Sequence, residues 1–261
     1  MPAIRKPVFA IRGSFWLLLP TLMLFAGGCP ITQSQDTPVK HQALRDQITN
    51  TKYYLYVPST YDKRKTYPLV ITLHGTNPWD DAWMQIREWK ALAEAQKFIV
   101  IAPVLRHFST DGIGSVPIGT RLSSLEKDDK VILAVYDEVT HRYRVNKDRV
   151  LLTGFSAGGF PMYYTGLRHP EKFAALIARA CNSDTRIMEE VGVTKNTRRI
   201  PIVIFYGKDD LGRIQKQSVA AFQWFRRNGW TRRNSQWKEI RGGHLRRPET
   251  CYSYWATYVG L

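Results

Sequence analysis

Short apolar runs alternate along this chain with longer segments whose apolar positions recur at helical spacing. Tyr53 to Val57, Leu69 to Leu73, Phe98 to Ala102, Arg149 to Thr153, Phe173 to Ala178, Ile202 to Phe205 and Gln236 to Ile240 read as strands. Runs such as Leu69 to Leu73 lack the alternation of a half-exposed strand and so predict cover on both faces. Between the runs, Ala82, Ile86, Trp89 and Ala93 trace one face of a helix, and Ile132, Val135 and Val139 trace a second. Ile214, Ser218, Ala221, Phe222 and Phe225 trace a third, stopped by Asn228-Gly229, and Pro248 to Tyr258 reads as a closing helix. The pattern predicts an α/β fold, a mostly parallel central sheet with helices on both faces. Ligands of such sheets bind beyond the carboxyl ends of the strands, so chemistry is expected just after strand ends.

The N-terminal pattern differs. Residues 1–28 carry Arg5, Lys6 and Arg12 ahead of an apolar stretch from Phe15 to Phe25 that is too short to span a bilayer, which predicts a cleaved export signal. Ala26-Gly27-Gly28-Cys29 resembles a lipoprotein processing box, with Ala26 where leucine is usual; lipidation of Cys29 and ordinary signal cleavage are both open. The expected product is a periplasmic or cell-envelope lipoprotein touching the membrane through Cys29, or otherwise a secreted protein. Polar residues 29–45 read as a tether, and residues 46–261 as one catalytic domain. Cys181 and Cys251 are candidates for a disulfide in an oxidising compartment, and no cysteine cluster has metal-ligand spacing.

Lys and Arg outnumber Asp and Glu by 38 to 22, a net +16, and removing the three leader charges leaves +13. The basic pairs Arg198-Arg199, Arg226-Arg227, Arg232-Arg233 and Arg246-Arg247 are scattered and match no nucleic-acid-binding module. They read as a solvated basic surface, and no nucleic-acid partner is expected.

Candidate chemistry centres on Gly154-Phe155-Ser156-Ala157-Gly158, placed between a buried-strand run and a helical segment. That placement predicts a nucleophile elbow, a turn so tight that only small neighbours let its two arms approach. A serine hydroxyl needs a base to take its proton and a carboxylate to hold that base. His244 follows the last strand within Gly242-Gly243-His244, and Asp209-Asp210 follow the strand ending at Phe205. Asp184, after the preceding strand, is a further candidate acid, and His41, His74, His107, His141 and His169 are competing histidines.

The order Ser156, Asp210, His244 is that of α/β-hydrolases. From about Tyr53 onward the chain resembles a small α/β-hydrolase of the exported esterase branch, which includes polyhydroxybutyrate depolymerases and feruloyl or acetylxylan esterases. The matching pieces are Tyr54-Leu-Tyr-Val-Pro58, Leu69-Val-Ile-Thr-Leu-His74-Gly75, the serine pentapeptide, Arg168-His-Pro-Glu-Lys-Phe173, Gly207-Lys-Asp-Asp210 and Gly243-His244. The resemblance implies an acid three residues after the glycine, hence Asp210 over Asp209. It also implies an oxyanion hole made by the backbone N–H groups of Thr76 and Ala157, with His74 propping the loop. The activity implied is ester hydrolysis through an acyl-enzyme without metal or cofactor.

Only a short segment separates Asn182 from Ile200, so no substantial lid is expected, and the site should admit bulky or polymeric esters. Trp79, Trp83, Phe108 and Arg246 are candidate wall residues; the aromatics equally fit simple packing of the domain. Two other readings stand beside the esterase. The pentapeptide also resembles the elbow of prolyl-oligopeptidase-type serine peptidases, and a silent α/β-hydrolase-fold binding protein would show the same folding pattern.

Overall fold

The computed structural model describes residues 37–106 and 117–261. The expected export signal, Cys29, His107 and Phe108 lie outside the described residues. Eight strands form one sheet in the order β1-β2-β4-β3-β5-β6-β7-β8: β1 Gln42–Arg45, β2 Lys52–Tyr56, β3 Tyr67–Leu73, β4 Ile99–Pro103, β5 Val145–Phe155, β6 Ala175–Arg179, β7 Ile202–Gly207 and β8 Ser235–Ile240. The pairings from β4 to β8 are parallel, and β2 runs antiparallel to both its neighbours. Among the described residues six helices accompany them: α1 Ala82–Gln96, α2 Ile118–Arg142, α3 Gly159–Arg168, α4 Thr185–Val191, α5 Gly212–Arg227 and α6 Pro248–Val259.

Every residue of β3, β4, β6 and β7 is buried, as the uninterrupted apolar runs require. Side chains alternate across the pleat. Leu69, Ile71, Val150, Leu152, Leu176 and Ile204 meet Ile132 and Val135 of α2, Leu167 of α3, Met188 of α4 and Phe225 of α5. Val70, Leu151, Ile177 and Val203 meet Ile86 and Trp89 of α1 and Trp255 of α6 on the opposite face. Each such side chain, fully buried, stabilises the fold by roughly 1.5–3 kcal/mol.

Two expectations change. The tether assigned to 29–45 gives way to strand at Gln42–Arg45, which pairs with β2 at the sheet's edge. As a largely exposed edge strand, β1 needs no apolar run, so the hydrophobic pattern does not reveal it. Cys181 and Cys251 are both free thiols. The sheet separates them, Cys181 packing with the α2–α5 face and Cys251 with the α1–α6 face. Burial pushes their thiols up to about 12 and about 11 respectively.

Candidate active site

The register of the sheet gathers the relevant loops. Leu73 lies opposite Gly154, Phe155 opposite Arg179, Arg179 opposite Phe205, and Gly207 opposite Ile240. The residues that follow these positions therefore emerge along one edge: Gly75-Thr76 after β3, Ser156 after β5, Asp210 after β7 and His244 after β8.

Ser156 has φ 52°, left-handed backbone that a β-carbon disfavours. Its N–H donates to Ala180 O at 3.1 Å and its carbonyl accepts from Asn182 N at 2.8 Å, so the loop after β6 holds the strained residue on both sides. The flanking glycines are demanded by close backbone approach. A β-carbon on Gly154 would sit 2.5 Å from Gly158 O, and one on Gly158 would sit 2.5 Å from His74 O. This is the geometry expected of a nucleophile elbow.

His244 Nδ1 lies 2.8 Å from Asp210 Oδ1. A carboxylate only accepts, so Nδ1 carries the hydrogen and, in the neutral ring, Nε2 keeps the basic lone pair. The imidazole also packs against Phe155, with ring centroids 4.7 Å apart, which sets it beside the residue preceding Ser156. The Asp210 side chain is fully buried, and its Oδ1 also accepts the Leu211 N–H at 2.7 Å. Asp209 is exposed and anchors its loop only through its backbone N–H to Gly242 O at 3.0 Å. Asp184 caps α4 by accepting from Arg186 N at 3.1 Å and pairs with the Arg186 guanidinium. Of the three candidate acids, Asp210 bonds the histidine.

The loop after β3 is held by both faces of Gly75. His74 is fully buried; Leu105 N–H donates to its Nε2 at 3.1 Å, so Nδ1 carries the hydrogen and donates to Gly75 O at 2.8 Å. Gly75 N–H donates to Asp80 Oδ2 at 2.6 Å. The Gly75 carbonyl and the Thr76 N–H belong to one planar trans peptide and point oppositely, so gripping the carbonyl aims the Thr76 donor away from His74. A β-carbon on Gly75 would lie 3.1 Å from Ser156 Cβ, which places this peptide against the elbow. Ala157 directly follows Ser156 and is buried.

The other histidines go elsewhere. His169 Nε2 is 3.2 Å from Asp129 Oδ2, and His141 is exposed with Nδ1 2.8 Å from Asp137 O. His41 is held below its ordinary range by burial first and then by Lys90 and Arg87. Trp79 is 72% exposed, so it does not simply pack the core; Trp83 is 39% exposed beneath the Arg87 guanidinium, 4.2 Å from the ring centroid. Among the described residues no helix is long and apolar enough to cross a membrane, and no group of three or more His, Cys, Asp or Glu is arranged to hold a metal.

Sequence reasoning missed the polar cluster beneath the loops. Arg179 is fully buried, donating to Thr153 Oγ1 at 3.0 Å and to Thr72 Oγ1 and Gln85 Oε1, both at 2.8 Å. The available signal was an arginine inside the apolar run Phe173 to Ala180.

The family model described as "Putative esterase" matches residues 48–247. The chain belongs to this esterase family. A bifunctional acetylxylan esterase/xylanase of Neocallimastix patriciarum is 25% identical to this esterase-family chain over 166 residues, 64% of the chain and 22% of that protein. Dipeptidyl-peptidase 5 of Porphyromonas gingivalis is 30% identical over 139 residues, 50% of the chain and 19% of that protein. The chain thus spans about a fifth of the length of these curated relatives. Among solved structures, a ferulic acid esterase of Anaeromyces mucronatus superposes with TM-score 0.65 at 16% identity, covering 88% of this chain and 94% of that one. S-formylglutathione hydrolase of Staphylococcus aureus gives 0.61 at 15%, covering 84% and 98%. The fold of this esterase-family domain is that of the α/β-hydrolases.

Proposed function

We propose that this domain is a serine hydrolase of carboxylic esters, with Ser156 as nucleophile, His244 as general base and acid, and Asp210 as the carboxylate that holds the imidazole. The observation that carries the reading is the His244–Asp210 bond on a ring packed against Phe155, the residue before a strained Ser156. Ser156 Oγ attacks the ester carbonyl carbon as its proton passes to His244 Nε2. The Thr76 and Ala157 N–H groups receive the charge that develops on the carbonyl oxygen. The C–O bond to the alcohol breaks and the alcohol leaves with the proton from Nε2; water then repeats the attack and releases the acid and the free serine.

The preferred substrate class is a bulky or polymeric ester outside the cytoplasm, reached after export and, in the lipoprotein reading, from a membrane anchored at Cys29. Support comes from the short segment between β6 and β7, which holds only the small helix α4 and a turn at Thr197–Arg199, and from Trp79 standing exposed in the loop after β3. The similarity to an acetylxylan esterase and a ferulic acid esterase points the same way.

The test is a panel of short nitrophenyl esters, feruloyl esters, acetylated xylan, hydroxybutyrate esters and dipeptide amides, run beside Ser156→Ala. Ester cleavage that is lost in the variant is the expected result. Turnover of the dipeptide amides alone would establish the peptidase reading, which the dipeptidyl-peptidase similarity favours. Inert wild-type protein across the panel would leave the silent binding protein.

A further inference from the structure

The buried polar cluster beside the catalytic edge forms a closed ring that joins two separate loops. Asp80 is 2% exposed and divides its carboxylate between them: Oδ2 accepts Gly75 N–H at 2.6 Å and Gln85 Nε2 at 2.7 Å, while Oδ1 accepts Arg246 Nη1 at 3.0 Å. Arg246 stands two residues after His244. Its Nε reaches Glu88 Oε1 at 2.8 Å, its guanidinium lies 5.8 Å from the Phe155 ring centroid, and its carbonyl accepts from Arg179 Nη1 at 3.3 Å. Arg179 returns to Gln85, which closes the ring. Two arginines and two carboxylates meet in this buried cluster, each ionic contact compensating part of the cost of burial.

The neighbouring Asp81 shows that Asp80 is not merely a helix cap. Asp81 Oδ1 accepts Met84 N at 2.7 Å and caps α1, which leaves Asp80 to turn inward. There it grips the nitrogen of the same glycine whose carbonyl His74 holds.

We propose that Asp80 and Arg246 are positioning residues that lock the Gly75-Thr76 peptide and the His244 loop into one catalytic register. The inference rests on the serine-hydrolase reading. Gly75 is fixed at both ends, so the Thr76 donor has one direction; Arg246 transmits that fixed position to the loop carrying the base. Loss of Arg246 leaves the buried Asp80 carboxylate without this counter-ion, and loss of the Asp80 charge weakens the grip on both Gly75 N–H and Arg246, so either change loosens the link between the two loops. Misplacement of catalytic groups by about 1 Å costs about 10²-fold in rate.

The experiment compares Asp80→Asn, Arg246→Met, Arg246→Lys and the Asp80→Asn/Arg246→Met double variant, using a short nitrophenyl ester. Competent sites are counted by fluorophosphonate titration, and kcat is expressed per titrated site so that misfolded protein drops out. Expected are a fall of about 10²-fold in kcat per site for Asp80→Asn and Arg246→Met, KM within about threefold of wild type because the loops act on the transition state, and a double variant no worse than the poorer single one. Arg246→Lys, which keeps the positive charge but not the planar fork of donors, should recover part of the loss. Wild-type kcat per site in Arg246→Met together with a lowered Tm would overturn the inference, as would a double variant whose losses multiply. Should Asp80→Asn not fold, the Arg246 pair decides alone. Wild-type protein that neither labels nor turns over ester would instead reject the serine-hydrolase reading.

Discussion

Replacing Ser156 by alanine is expected to lower kcat on the best ester of the panel by on the order of 10⁶, about 8 kcal/mol of barrier. The substitution removes the attacking oxygen and leaves the rest of the edge in place. Ala157 and Thr76 would still present their N–H groups, so a residual acceleration of roughly 10³–10⁴ over water should remain. His244→Ala is expected to cost about as much, because a serine without its base is a poor nucleophile at neutral pH. The double variant should be no slower than either single one, since the two side chains act as a unit. The measurement is kcat for the three variants under saturating ester, with thermal unfolding as a check that the fold survives. A variant that retains turnover within tenfold would remove its residue from the mechanism.

Asp210→Asn should be the next most damaging change, on the order of 10⁴ in kcat, while Asp209→Asn stays within about twofold. The difference follows from burial and partner. Asp210 is fully buried at the side chain and accepts the His244 Nδ1 hydrogen, where its charge would oppose the imidazolium of the proposed mechanism. An amide preserves the shape and removes the charge. It can also present its own N–H groups to Nδ1, which would drive the hydrogen to Nε2 and block the base. The Asp209 side chain, by contrast, lies in solvent. The reverse ranking would move the acid by one residue and contradict the observed hydrogen bond.

The fold was legible wherever burial on both faces left an uninterrupted apolar run, as in β3, β6 and β7, or a helix carried a clear stripe, as α1 does through Ala82, Ile86, Trp89 and Ala93. It was not legible in β1, whose residues Gln42 to Arg45 lie at an exposed edge, or in α4, a short helix with only Ile187 and Met188 buried. Ser156 and His244 were readable as candidates because glycines accompany them at 154, 158, 242 and 243, those at 154 and 158 being demanded by close backbone approach. Asp210 and Asp209 are chemically identical in the sequence, and only family spacing separated them before the hydrogen bond did. The Asp80–Arg246 contact spans 166 positions and belongs to no periodic pattern, so nothing local announces it. Arg246, a candidate wall residue, is held between Asp80 and Glu88.

The most direct test of the central claim is to treat the protein with a fluorophosphonate ester and map the adduct by peptide mass spectrometry. The account predicts one phosphonyl group per chain, formed with loss of fluoride, on the peptide containing Ser156, absent from Ser156→Ala and greatly slowed in His244→Ala. An unmodified Ser156 peptide, or equal labelling of Ser156→Ala, would contradict it.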